Sequence, residues 1–199
     1  MNVTKCPFAK NASVVFGPTW NRRCSFKGNV ARHAVELRRF SRVLERDRLH
    51  GFVVKVGMRH RNPSFEGVRR TFREYLRALA ETDLSCKESM EANLLSPDWQ
   101  FTHSDTRYFL NVFASCYNPP HSKYIPTRYG FYIFFQPERS FDFCGRASLE
   151  EVKYHIRTAF ARANMPYNGD LIDRRIESFL YMFPLQPFDS PVRWWSNCE

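Results

Sequence analysis

The sequence contains no C-x-x-C pair, and its six cysteines, at 6, 24, 86, 116, 144 and 198, are widely scattered. That spacing excludes the small zinc modules and the disulfide scaffolds of short secreted domains, and points to reduced thiols in a cytoplasm. The patterns G-x-S-x-G, H-E-x-x-H and G-x-G-x-x-G and the phosphate-cradling P-loop are also missing. Hydrolase, zinc-protease, nucleotide-hydrolysing and dinucleotide-dependent chemistries lose their usual signatures with them. Six histidines, at 33, 50, 60, 103, 121 and 155, are too dispersed to propose a multi-histidine metal site. No stretch approaches the length of a membrane span, and the opening MNVTKCPFAKNASVV lacks a basic region followed by a continuous apolar one. A soluble, unprocessed cytoplasmic protein is expected. Repeats and low-complexity segments are absent.

Acidic residues are scarce in one half only. Residues 1–80 hold 18 Lys and Arg against 5 Asp and Glu, whereas residues 81–199 hold 12 against 15, for a net charge of +10. A basic half is read as a solvated helical face, as a docking surface for an acidic partner protein, or as a nucleic-acid footprint. The last reading is weakest, because aromatic residues are not interleaved with the arginines as stacking platforms require.

What the chain has in quantity is aromatic residues, at 16% with nineteen Phe, within an overall 43% hydrophobic and 25% charged composition. At 199 residues it is expected to form one domain, 1–199, with a core large enough to need no disulfide or metal.

Apolar periodicity places the elements. A short strand is expected over 13–16. Val30, Ala34, Leu37, Phe40 and Leu44 recur at helical spacing and predict a long amphipathic helix over 26–49, its polar side carrying Arg32, Arg38, Arg39, Arg42 and Arg46. GFVVKV at 51–56 reads as a buried strand, and Asn62-Pro63-Ser64 opens a second arginine-rich helix to about residue 81. Residues 82–98 show no sustained period and read as a loop with at most one helical turn. WQFTH at 99–103 and RYFLNVFA at 107–114 form an antiparallel aromatic hairpin, and YGFYIFFQP at 129–137 is a further strand. A helix over 148–163 is capped by Ser148 with Glu151, and a short helix falls within 173–183. The two tryptophans of the closing RWW are expected to be packed. The order β-α-β-α-β-β-β-α predicts an α+β fold, a mixed sheet with flanking amphipathic helices.

The chemistry is sought in the connection between the aromatic strands. His121 follows Pro119-Pro120, which restrict the backbone, and a rigid loop can present an imidazole to a pocket. A haem needs one neutral nitrogen ligand, flat apolar walls and basic groups for its propionates. Tyr108, Phe109, Phe113, Tyr117, Tyr124, Phe131, Ile133 and Phe135 could supply walls, and Lys123 and Arg128 could meet propionates. The competing reading of His121 is a loop histidine bonded to backbone or solvent. Cys6, followed by Pro7, is the alternate iron ligand, or a buried structural thiol. Cys116 is a third choice.

CPFA at 6–9, SPDWQF at 96–101, CYNPPHSKY at 116–124, FQPERSFD at 135–142 and PVRWW at 191–195, taken together and in this order, resemble the short members of the YqcI/YcgG family. The resemblance covers nearly the whole chain. It implies haem b as cofactor and haem-dependent N-oxygenation, in which O2 is used to hydroxylate an amino or guanidino nitrogen of a small amino-acid-like substrate, as in natural-product pathways. It makes His121 the expected ligand with Cys6 as alternate. Asp98, Asp105 and Asp142 become candidates to hold a cationic substrate, since a guanidinium needs a carboxylate partner; each also suits a turn or cap. An acidic ferredoxin-like electron donor would dock on the arginine-rich helix faces. A non-catalytic haem-binding or haem-sensing protein is the alternative.

Overall fold

The computed structural model describes residues 12–144, 149–165, 176–186 and 189–196. Among the described residues, a five-stranded mixed sheet in the order β1-β2-β5-β4-β3 is accompanied by four α-helices. The strands are β1 (Val14–Phe16), β2 (Gly51–Gly57), β3 (Phe101–His103), β4 (Thr106–Phe113) and β5 (Gly130–Pro137). The helices are α1 (Phe26–Val43), α2 (Phe65–Ala80), α3 (Leu84–Glu91) and α4 (Leu149–Arg162). β1 pairs parallel with β2, and every other pairing is antiparallel. This is the α+β architecture that the alternation of periodicities predicts.

Both long helices start on serine caps. The Ser25 hydroxyl accepts the Gly28 N–H at 3.0 Å and the Ser64 hydroxyl accepts the Gly67 N–H at 3.1 Å, each satisfying one of the first-turn donors a helix leaves open. Val30, Ala34, Leu37 and Phe40 of α1 and Val68, Phe72, Leu76 and Leu79 of α2 are buried against the sheet side of the core. α1 stops at Val43, well before the His50-Gly51 stop expected from sequence: residues 44–48 turn away, and Arg48 adopts a φ of 49°.

The expected loop over 82–98 contains a further helix, α3. Its cap is Asp83, which accepts the Cys86 N–H at 3.0 Å and also holds the β3–β4 turn through the Ser104 N–H at 3.0 Å. Only Cys86 of its eight residues is buried, so the segment has no apolar stripe to read. The helix expected within 173–183 is a 3-10 turn over Glu177–Leu180; residues 173–175 lie outside the described residues, as does Ser148.

Register explains the sheet's two faces. Phe52, Phe135 and Leu110 form one row across β2, β5 and β4, and Val54, Ile133 and Val112 the next; all six are buried in the main core. The alternate rows, Val53-Phe134-Asn111 and Lys55-Tyr132-Phe113, occupy the other face, where Asn111 is the one buried residue of the six. The C-terminal tryptophans close the core beyond α2. Trp194 has no exposed surface, stacks edge-on to Phe72 at 5.0 Å, and donates its indole N–H to the Ser178 carbonyl at 2.7 Å.

Candidate functional site

The connection from β4 to β5 folds back on the end of β4. The Ala114 N–H donates to the Lys123 carbonyl at 3.1 Å and the Ile125 N–H to the Ala114 carbonyl at 3.3 Å, while the His121 N–H closes a turn on the Asn118 carbonyl at 2.8 Å. The Pro119–Pro120 peptide bond within that turn is cis.

His121 is buried and its partners define its state. A backbone N–H can only donate, so Nδ1 is the acceptor for the Lys123 N–H at 3.0 Å; a carbonyl can only accept, so Nε2 carries the proton and donates to Pro184 at 3.1 Å. The ring stacks on Tyr117, with centroids 4.4 Å apart and planes 17° from parallel. Burial lowers the imidazole pKa to about 4, and the nearby Lys123 charge adds to that effect against the opposing Pro184 bond. The ring is therefore neutral at physiological pH, as an iron ligand would be, but neither nitrogen has a lone pair free.

Lys123 is committed as well. Its ammonium donates to the Asn111 side-chain carbonyl and lies over the rings of Phe113 at 5.2 Å and Phe183 at 4.5 Å. These ring contacts help to stabilise the buried ammonium. Tyr117, with no exposed surface, donates to the Phe183 carbonyl at 2.9 Å. His121, Tyr117, Lys123 and Asn111 thus join the end of β4 and the 116–124 loop to the 181–184 segment, which also meets β4 through the Val112 N–H on the Tyr181 carbonyl at 3.0 Å. The residue pair expected to hold iron and propionate is internal mortar, and in this arrangement the two do not fit a haem.

A cleft of about 490 Å³ lies on the outer side of the same loop, between the β2–α2 connection and residues 115–124. Pro63, Phe65, Pro119, Tyr124 and Leu185 give it apolar walls, and Cys116 is its soft donor. Burial pushes the Cys116 thiol up to about 11. The volume falls in the range of about 300–1,000 Å³ typical of small-molecule sites. Of the residues expected as walls, Tyr108, Tyr117, Phe131, Ile133 and Phe135 are in the main core, Phe109 and Phe113 are on the second sheet face, and Tyr124 alone lines the cleft. Arg128 is exposed.

The three aspartates do not converge on the cleft. Asp98 is exposed beside the 96–99 turn, and Asp105 is the exposed second residue of the β3–β4 turn with a φ of 56°. That turn stands a strand length from the loop, about 25 Å for the eight residues of β4. Asp142 is exposed after β5, at the same far end. Cys6 lies outside the described residues. Among the described residues, no group of three or more His, Cys, Asp or Glu side chains is arranged to hold a metal ion.

Two carboxyl groups that sequence reasoning passed over are strongly perturbed, in opposite directions. Burial raises the Glu177 carboxyl to about 7, although the Tyr181 hydroxyl at 2.6 Å and Gln100 partly offset it. The Asp83 carboxyl is held down at about 2: burial opposes ionisation, but hydrogen bonds from Ser85, Ser104 and Cys86 outweigh it. Neither lies in a periodic or motif-bearing stretch, so no local signal marks them.

An α+β chain with a single mixed sheet among the described residues, a looped-back β4–β5 connection and an adjoining cleft of mixed polar and apolar lining is the class that the geometry defines. The YqcI/YcgG family model matches residues 6–174, most of the chain, and the protein belongs to that family. No curated protein and no solved structure matches it. No described helix is long and apolar enough to cross a membrane.

Proposed function

We propose that the protein is a cytoplasmic haem-dependent oxygenase that uses O2 to hydroxylate an amino or guanidino nitrogen of a small amino-acid-like substrate, with electrons from an acidic donor protein. The observation that carries this reading is the family match over residues 6–174. The cleft beside Cys116, with its apolar walls, supports a small-molecule site in the same region as the CYNPPHSKY motif.

The commitments of His121 and Lys123 move iron ligation away from the histidine. A cysteine takes its place, either Cys6 of the CPFA motif or Cys116 at the cleft. The test is the absorption spectrum of protein purified from haem-supplemented cells. A Soret band that survives His121→Ala and is lost in Cys6→Ala or Cys116→Ala is the expected result. Absence of any band, with no haem retained on titration, overturns the reading. Loss of the band in a folded His121→Ala variant alone returns ligation to the histidine.

A further inference from the structure

Positive charge without a carboxylate partner among the described residues remains on the helix faces, at Arg32, Arg42, Arg70 and Arg77, and a further group of it lies on loops at one end of the sheet. Three helix cations are neutralised locally, Arg39 by Glu36 at 2.6 Å, Arg69 by Glu66 at 2.7 Å and Lys27 by Glu81 at 2.6 Å, and just past α1 Arg46 is neutralised by Asp47 at 2.7 Å. Arg38 donates to the Thr82 carbonyl at 3.0 Å and lies 3.8 Å from Asp83.

The end of the sheet where β2 finishes and β5 begins is different. The Met58 N–H donates to the Tyr129 carbonyl at 2.8 Å and the Tyr129 N–H to the Arg61 carbonyl at 2.9 Å, so the 58–61 turn lies against residues 128–129. The Arg22 guanidinium sits 4.6 Å over the Tyr129 ring, and a side chain at Gly57 would collide with the Trp20 indole, so the 20–23 segment joins the same cluster. Arg22, Arg23, Arg59, His60, Arg61 and Arg128 are all exposed there, and Tyr129 is 39% exposed among them. The segments that build this end, 17–35, 57–65 and 114–137, contain no Asp or Glu. None of the five guanidiniums has a carboxylate partner among the described residues, since the ion pairs all lie elsewhere. The turn runs directly into Asn62, Pro63, Ser64 and Phe65, which form one wall of the Cys116 cleft.

We propose that this loop cluster is a docking surface for an acidic protein, one that presents grouped carboxylates at the rim of the cleft. Five like charges held together without counter-charges repel one another, and a partner supplying carboxylates relieves that repulsion. Arginine forks match carboxylates bidentately, and Arg22 against Tyr129 holds one fork in a defined orientation. One exposed aromatic ring is too few for the successive stacking platforms of a single-stranded nucleic-acid site. That the partner is an electron donor rests on the oxygenase reading; that an acidic protein binds here does not.

The test measures association of the full chain, with and without haem supplementation, with a plant-type [2Fe–2S] ferredoxin as the acidic probe and oligo(dT) as the nucleic-acid probe. Saturable ferredoxin binding is expected, with an association rate that falls at least about tenfold between roughly 20 and 300 mM salt. The combined Arg23→Ala, Arg59→Ala and Arg61→Ala variant should lose at least about tenfold in affinity. A variant with the same charge loss on the helices, Arg42→Ala, Arg70→Ala and Arg77→Ala, should bind within about threefold of wild type if only the loop cluster makes the contact. Equal losses in the two variants, tighter binding of oligo(dT) than of ferredoxin, or no ferredoxin binding at low salt would each overturn the proposal. Because binding is read without turnover, these outcomes are independent of whether a Soret band is present.

Discussion

His121 and Tyr117 stack face to face at 4.4 Å, four residues apart on one loop, and each sends its single proton to a backbone carbonyl of the same distant segment, at Pro184 and Phe183. The pair clamps the 116–124 loop onto 183–184 and, in doing so, uses the imidazole that a metal would need.

Replacing His121 with Ala should therefore act on stability before chemistry. It removes two buried hydrogen bonds and a stacked ring and leaves the Pro184 carbonyl unpaired, for a loss of about 2–4 kcal/mol. Urea unfolding with an unchanged m-value reads this directly. A variant as stable as wild type would contradict the clamp.

Acid should destabilise the fold through three histidines. His33, bonded to Tyr75 and the Pro18 carbonyl, and His103 and His121 are each lowered to about 4, with burial as the largest cause. Unfolding exposes them to their ordinary value near 6.5, so the unfolded chain binds more protons between these values. Their stabilising contribution is complete above about pH 6.5 and is lost as pH falls towards 4. Denaturant midpoints taken from pH 7 to pH 4 should drop steadily, with the unfolding reaction taking up protons.

Glu177 has the opposite sign. Its folded value of about 7 lies above the ordinary 4.5, so its contribution is full below 4.5 and is lost as pH rises through 7. Three histidines outweigh one carboxyl up to about pH 7 and the two effects nearly cancel above it, so on these four groups stability rises from pH 4 and levels off near pH 7. Glu177→Gln keeps an acceptor for the Tyr181 hydroxyl and removes the titration. It should steepen the rise in stability between about pH 4.5 and 7 and raise the midpoint at pH 8; an unaltered pH profile would argue against a carboxyl titrating there.

Asp83→Ala should cost about 1–2 kcal/mol at neutral pH, since the carboxylate caps α3 and also accepts the Ser104 N–H and hydroxyl of the β3–β4 turn. Hydrogen exchange should speed up in both α3 and the turn. Protection lost in α3 alone would show that the second anchor contributes nothing. In the wild-type protein the same contribution is present above about pH 4 and lost as pH falls towards 2, the depressed value of this acid.

What the sequence determines by itself is whatever depends on neighbours along the chain. The 3.6-residue rhythm of Val30, Ala34 and Leu37, the serine caps at 25 and 64 and the alternating runs of β2, β4 and β5 are local, and they specify two helices, the aromatic strands and the α+β class. α3 escaped because its one buried residue makes no stripe and its cap is shared with a turn about twenty residues on. The site escaped for the same reason on a longer scale. Two prolines and a histidine between aromatic strands describe a rigid loop equally well whether the ring faces a cofactor or a carbonyl. Only the packing of Pro184, 63 residues away, decides between them by occupying Nε2. Net charge, too, is a property of the sequence, but its location is not. On the helices Arg39 and Arg69 meet Glu36 and Glu66 one turn away and Lys27 of α1 meets Glu81 at the end of α2, whereas the turns at 22–23, 59–61 and 128 were gathered into one place with no acid to meet them among the described residues.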